Sequence, residues 1–434
     1  GLTILSISIF AFSSCDDSST SAYTGVRMID NTFSPPVVRV HEGGLVRFYN
    51  AGNNPHNVIA TDAAWGSLED VPKNDYIDIN FNTEGLYKYI CSYHATPEGD
   101  WGMAGSVVVG DIEYQEYTNF TKNDVVKKFS GDVRYVPFVY ESIQDAVDAS
   151  NPGDLVLIDK GIYYEEVVVR TPSITIRGID RNEVIIDGEF EKANGIIVAG
   201  VDGVAVENIT ARNALLNGFY WATSEGYRAS YVTAYNNGDY GIYAFDSVDG
   251  IIEHSYASGS PDAGFYIGQC YPCDAVINNV ISENNGLGYS GTNSGGDLYI
   301  VSSVFRNNMG GIAPNTLDSE LLPPERESFI IGNHIENNNN SKAPAWPNQY
   351  ITLGNGIIIA GGNNNVIKNN VINDHNLFGV VVTASFDDNY WPAHGNLVQD
   401  NIIINSNKAD MALSGVSNLA NCFKGNTFQT SFPP

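Results

Sequence analysis

Four residues in the first quarter of the chain are of types that hold a soft transition-metal ion. They are His56 in NAGNNPHNV, and Cys91, His94 and Met103 in YICSYHATPEGDWGMAGSVVVG. Two imidazoles and a thiolate suit copper in a trigonal plane, and a thioether completes such a site weakly while tuning its potential. Zinc sites are built from Cys, His and carboxylates instead of Met. Cys-x-x-His places two donors close together after a strand, whereas His56 comes from a distant loop, so the site exists only once the chain has folded. A site assembled in that way is preorganised for both oxidation states, which is what outer-sphere electron transfer requires. His41, in the Gly-rich turn VHEGG, reads as a bystander in a hairpin.

The elements that must position these donors run from residue 23 to residue 111. Short runs of β-formers (VVRV, LVRFYN, YIDINF, LYKYIC, SVVVG), separated by Gly, Asn and Pro turns, predict a small all-β sandwich. Over these roughly ninety residues the chain resembles the plastocyanin/azurin family, the cupredoxins. The resemblance implies a Greek-key β-sandwich with one type 1 copper ion. It implies His56, Cys91 and His94 as equatorial ligands, Met103 as the axial ligand, and Asn57 as the residue that steadies the loop carrying Cys91. One departure from the family is the eight residues between His94 and Met103, a longer loop than most members have. It brings Glu98, Asp100 and Trp101 beside the metal.

Residues 1–22 read as an export segment: an apolar stretch (LTILSISIFAF), small residues, then Cys15 and an acidic, Ser/Thr-rich run. Phe12-Ser13-Ser14-Cys15 resembles a bacterial lipobox, which implies cleavage before Cys15 and acylation of its thiol. A plain secretory signal is the alternative. The apolar stretch falls short of the ~20 residues of a membrane span, so the expectation is a lipoprotein of the periplasm or cell surface that meets the membrane only through its anchor. Of five cysteines, Cys270 and Cys273 (CYPC) fit a small disulfide loop, half of a metal site or a redox dithiol. The disulfide is favoured, because no second ligand pair stands near to complete a zinc site. Fifty acidic residues against 22 basic ones give a net charge of −28, which repels nucleic acid, anionic membranes and polyanionic sugars and favours neutral or cationic partners.

After a polar linker at 112–135, a second unit spans 136–434. Ser142 caps a short helix whose Ile143, Ala146 and Val147 share a face, and PGD then breaks it. Gly195, Gly218, Gly241 and Gly264 recur every 23 residues, Gly288 and Gly311 follow after 24 and 23, and Gly356 and Gly379 resume the period after an insertion. A constant period of this size means stacked coils. The residue after Gly (Ile196, Phe219, Ile242, Phe265, Ile357, Val380) is apolar each time and should point inward, with the next facing out. Asn208, Asn279, Asn333, Asn370, Asn401 and Asn426 mark coil corners, where Asn tolerates left-handed backbone and its amides stack. About ten coils at ~4.8 Å each make a rod on the order of 50 Å long. The helix and first coil resemble the start of pectin-lyase-like β-helices, a group that includes periplasmic copper-maturation proteins. The resemblance implies a single-stranded right-handed parallel β-helix with an N-terminal cap, which covers core and strand edges at that end.

The outward position after Gly holds Tyr220, Tyr243 and Tyr266. Such a row could receive the apolar faces of sugar rings, or could simply be an aromatic ladder stabilising adjacent strands. Acid–base cleavage of a polysaccharide would need paired carboxylates or a base with a cation. The residue types are present in Asp246, Asp262, Asp318, Asp374, His375, Asp387, Asp388 and His394, but no compact motif groups them. The expected function is therefore a type 1 copper protein for electron transfer or copper handling. It would act as a monomer with a redox protein as partner, and its β-helix would bind that partner or a neutral carbohydrate. The alternative is a cell-surface polysaccharide lyase, hydrolase or epimerase in which the cupredoxin-like domain is accessory.

Overall fold

The computed structural model describes residues 23–29, 32–34, 37–52, 54–61, 65, 70–95, 102–110, 131–415 and 419–433. The export segment with Cys15, and the loop carrying Glu98, Asp100 and Trp101, lie outside the described residues. The chain divides into two compact bodies, with the division at residues 128 and 129.

The first body is a pair of four-stranded sheets. One has the order Thr32–Ser34, Tyr23–Ile29, Gly44–Asn50, Tyr76–Phe81, and the other Val37–Val40, Gly102–Val109, Gly85–Ala95, Ile59–Ala60. Burial alternates along Gly44–Asn50, with Val46 and Phe48 fully inside. That is the period of a strand with one face on a core. Phe33, Phe48 and Tyr89 meet edge to face at the centre, with Tyr89 4.7 and 4.9 Å from the two phenylalanine rings. The turn at His41 is not a hairpin. Val37–Val40 pairs with Gly102–Val109, whereas Gly44–Asn50 pairs in the other sheet, so the turn carries the chain across the sandwich. His41 itself is exposed.

The second body is a parallel β-helix of three sheets with 12, 10 and 11 strands. The 10-stranded sheet, Gly161–Tyr163 through Ile402–Ile404, counts ten complete coils. The unit starts earlier than residue 136: Val133–Val136, inside the expected linker, already pairs in parallel with Leu155–Ile158. The cap helix, α1 (Ile143–Asp148), begins as expected, with the Ser142 hydroxyl accepting from Asp145 N at 3.0 Å and Ile143, Ala146 and Val147 buried. Among the described residues no helix is long and apolar enough to cross a membrane.

The residues after the periodic glycines are buried, and they face one another in register from Ile196 through Phe219, Ile242 and Phe265. The glycines serve close approach between coils. A Cβ at Gly218 would lie 2.7 Å from the Gly241 carbonyl oxygen, and one at Gly241 would lie 2.6 Å from that of Gly264. The corner asparagines occupy two adjacent columns. Asn208 and Asn279 have φ near +55° and +52° on the outside of the turn. Asn333, Asn370, Asn401 and Asn426 stand one residue later and point inward as a ladder, each Oδ1 accepting the preceding coil's N–H at 2.9 to 3.0 Å.

Two further ladders run at the other corners. One passes through Asn365, Asn396 and Asn421, and the other through Asn285, Asn308 and Asn338 to His375. His375 stands where the pattern calls for Asn, 1 % exposed, with Nε2 3.3 Å from Asn338 Nδ2. Burial pushes its pKa down to about 4, with Asp374 acting in the opposite direction. The folded chain therefore refuses a proton that the unfolded chain accepts near 6.5. The corresponding stability is complete above about pH 6.5 and declines as the pH falls towards 4, by about 3 kcal/mol. His375→Asn is expected to remove this part of the acid sensitivity. Urea midpoints of parent and variant at about pH 7.5 and about pH 4.5 test it; a stability difference that does not change with pH would rule out protonation of His375 as the cause.

Candidate functional site

The sandwich buries three of the four expected metal ligands. His56, Cys91 and Met103 are all fully buried. His56 is fixed by a reciprocal backbone bridge to Val71, N to O at 3.2 Å and O from N at 2.6 Å. Its Nδ1 lies 3.6 Å from Cys91 Sγ. The ladder between Gly85–Ala95 and Gly102–Val109 runs regularly from Gly85↔Val109 to Ile90↔Ala104 and resumes only at Ala95↔Gly102. The break thus falls where Cys91 would oppose Met103, and Ser92, Tyr93 and His94 are the extra residues of a wide bulge. Bulges of this kind re-aim side chains next to functional sites. The side chain of His94 lies outside the described residues.

Asn57 spans the gap between the His56 loop and the Cys91 strand. Its Oδ1 accepts from Ser92 N at 2.9 Å and its Nδ2 donates to Ser92 Oγ at 2.9 Å. At 5 % exposure this pair sets the distance between the two segments. Tyr93, on the bulge, is exposed and donates its hydroxyl to Asp70, with the two carboxylate oxygens at 2.7 and 2.8 Å. The donor set passes a simple test of fit. A sulfur at ~2.3 Å and a nitrogen at ~2.0 Å from one ion are roughly 3.5 to 3.7 Å apart over tetrahedral to trigonal angles, and the observed 3.6 Å lies in that range. Among the described residues no group of three or more His, Cys, Asp or Glu side chains forms a metal cage; this pair together with Met103 is the soft donor set present.

On the β-helix, Tyr220, Tyr243 and Tyr266 fall in one register line, as their spacing requires. Tyr220 and Tyr243 are half-buried and stack at 4.7 Å and 19°. Tyr266 differs from expectation, being 1 % exposed. The 317–325 insertion folds over it, and its hydroxyl donates to Glu320 with both carboxylate oxygens at 2.8 Å. Tyr240, absent from the sequence reading, lies parallel to Tyr243 at 4.2 Å and 7°. Around these rings stand Asp262, beside Tyr240, and Asp239, which accepts from Trp346 Nε1 at 2.9 Å. Burial lifts the Asp262 carboxyl to about 7, helped by the Asp239 charge, and burial does the same for Glu320, helped by Asp262. Among the described residues, the charged groups that shift these side chains are acidic. Glu320 and Trp346 escaped sequence reading because their loops do not share the period. The interruptions of that period were the available signal.

The other acid–base candidates hold the fold together. Asp318 anchors the 385–391 hairpin, accepting from Asn389 N and Nδ2 at 2.7 Å each and from Trp391 Nε1 at 3.2 Å, and these bonds hold its carboxyl below the usual range. Asp387 accepts from Asp318 N, and Asp388 donates its backbone N–H to Asp318. Asp246 and Asp374 accept from Thr223 and Asn405 side chains of neighbouring coils. His394 Nδ1 accepts from Leu419 N at 3.1 Å. None of these joins Asp262. Cys270 and Cys273 form a disulfide in the β-helix core, with Cα atoms 4.8 Å apart.

Residues 174–321 match the family model described as a right handed beta helix region. No curated protein matches the chain. Among solved structures, the chain is similar to the mannuronan C-5 epimerase AlgE4 A-module of Azotobacter vinelandii, at 14% identity and a TM-score of 0.45, over 67% of this chain and 94% of that one. It is similar to the purple cupredoxin of Nitrosopumilus maritimus, at 24% identity and a TM-score of 0.17, over 20% of this chain and 98% of that one. It is also similar to a reduced amicyanin variant, at 25% identity and a TM-score of 0.19, over 21% and 87% of the two chains. The chain is mostly β, with an N-terminal pair of four-stranded sheets followed by a right-handed β-helix.

Removing the Asn57 tie should loosen the sandwich. Asn57→Ala leaves the Ser92 N–H without its acceptor and is expected to cost about 1 to 3 kcal/mol in the metal-free protein. The sandwich's own transition in urea measures this, and an unchanged midpoint would mean that water replaces the amide at no cost.

Proposed function

We propose that the chain is an extracytoplasmic type 1 copper protein that transfers electrons to or from a protein partner, with the β-helix as its binding body. The observation that carries this reading is the 3.6 Å approach of His56 Nδ1 to Cys91 Sγ, both fully buried, at the strand break facing Met103. His56, Cys91, His94 and Met103 would hold the ion. Copper bound there supplies a one-electron couple. The chain's own contribution is rigidity: the Val71 bridge and the Asn57–Ser92 bonds keep nitrogen and sulfur in place, and full burial keeps water from the donors. Lipid attachment through Cys15 would keep the protein at the membrane surface.

Copper(II) added to the metal-free protein should produce an intense visible thiolate band that is absent in Cys91→Ser. A colourless protein, or a band indifferent to that change, would overturn the assignment. Met103→Leu should keep the band and raise the reduction potential in voltammetry, because losing a weak donor disfavours the more highly charged ion.

A second reading, acid–base cleavage of a polysaccharide by the β-helix, is favoured by one observation, the pair Asp262 and Glu320 with pKa values pushed up to about 7 beside stacked tyrosines. Reducing-end and unsaturated-product assays on a polysaccharide panel test it, with loss of turnover in Asp262→Asn and Glu320→Gln as the expected result. A parent protein that releases no product removes this reading.

A further inference from the structure

Three segments of the β-helix break its period, and all three border strands of the 11-stranded sheet. The 317–325 segment follows Gly310–Asn315, the 337–355 segment precedes Ile357–Ala360, and the 385–391 hairpin follows Phe378–Thr383. In solenoids, insertions that gather on one face commonly mark the binding face. These segments are tied down rather than loose. Glu320 accepts from Tyr266, Trp346 donates to Asp239 from 107 residues away, and Asp318 joins the first segment to the hairpin.

The first two segments reach Tyr266 and Asp239, next to the stacked pair Tyr220–Tyr243. Its rings lie nearly parallel, half-buried and still open to solvent. Elsewhere on the β-helix, aromatic stacking is a simple pair, as in Tyr231 on His254. Here it is extended by Tyr240 and Tyr266 and flanked by carboxyls and an indole. Gln349, 6 % exposed, donates from Nε2 to the Asp262 carbonyl at 3.1 Å and leaves its buried Oε1 without a partner among the described residues.

We propose that this face is a cleft for a neutral polysaccharide, with Tyr220 and Tyr243 as the floor that takes the apolar face of a hexose ring and Asp262, Glu320 and Trp346 as its walls. Flat aromatic rings meet the C–H face of a pyranose over a large area without demanding a charge. Carboxyls at the rim accept from, and when protonated also donate to, ring hydroxyls, and their raised pKa values near 7 keep part of that donor capacity at neutral pH. The charge of the site argues against a uronate polymer. The charged groups that raise Tyr243, Asp262 and Glu320 are acidic, and the chain as a whole carries −28. A carboxylated sugar would meet repulsion from Asp239, Asp262 and Glu320, which Lys342, lining a pocket with Gly238 and Pro261, offsets only in part. The inference rests on the β-helix as a binding body and is independent of copper and of whether the sugar is cut.

Affinity gel electrophoresis of the full-length chain tests it, using soluble neutral polysaccharides (hydroxyethyl cellulose, mannan, xylan, galactan) and two polyuronates, alginate and polygalacturonate. The parent should be retarded by at least one neutral polymer and by neither polyuronate. Tyr220→Ala and Tyr243→Ala should each weaken that retention at least ~10-fold. Tyr231→Ala, on the separate stacked pair, should leave it unchanged. Thermal unfolding and the copper-dependent absorption of each variant report separately on folding and on the metal site, so failure here is distinguishable from failure of the copper assignment. No retardation by any neutral polymer, equal retention by Tyr243→Ala with normal folding, or preferential retention by a polyuronate would each overturn the proposal.

Discussion

A chain that turns three corners per coil leaves peptide N–H groups inside the bore, and each must find an acceptor or cost about 1 to 3 kcal/mol. Everything else in the β-helix follows from the way this is met. An inward Asn of the next coil supplies the acceptor, and its own NH2 reaches back to a strand carbonyl of the coil before, as Asn370 does to Ile330 O at 2.9 Å and Asn401 to Ile367 O at 2.9 Å. Each amide thus joins successive coils. Serine plays the same part in earlier coils, where Ser255 and Ser303 accept from Val232 and Val280. Once the corners are satisfied, the strands between them can be almost wholly apolar inside, and the outside is released for other uses.

The two bodies use regular β structure in the same way. In each, the chemically distinctive residues sit where the pattern is interrupted. In the sandwich the interruption is the bulge from Ser92 to His94, which opens the ladder opposite Met103. In the β-helix it is the set of loops that rise beside the tyrosine stack. Regular strands provide a rigid frame, and the interruption aims side chains that a perfect ladder would have paired off.

Sequence legibility follows from the same distinction. The Gly period, the inward residues behind it, the cap at Ser142 and the metal motif are local or periodic, so they can be read directly. The corner asparagines were readable as corners but not as two adjacent columns, because the left-handed residue and the ladder residue differ by one position and the two ladders at the other corners overlap them in sequence. The spacing puts Tyr266 on the same line as Tyr220 and Tyr243 but carries no sign of its burial, because its cover comes from Glu320, 54 residues on. Asp239 and Trp346 meet across 107 residues with no periodic signal to announce it. Of the acidic candidates, abundance concealed which were in use; Asp318 is an anchor, whereas Asp262 shares burial with a second carboxyl.

The column that lets coils approach closely has a chemical consequence for ageing. Five Asn-Gly pairs begin or precede inner strands, at Asn194, Asn217, Asn237, Asn285 and Asn355. Asn-Gly is the dipeptide most prone to deamidation, since glycine leaves its backbone nitrogen free to attack the Asn side-chain carbonyl carbon, closing a succinimide and expelling ammonia before water reopens the ring. All five asparagines are at most 5 % exposed, in backbone held extended or by corner bonds, so the intact solenoid suppresses the reaction. A coil that frays loses that protection. Each deamidation would replace an amide with a carboxylate inside a stack of carbonyl acceptors, making local opening self-propagating and giving the folded rod a chemical lifetime set by its least stable end.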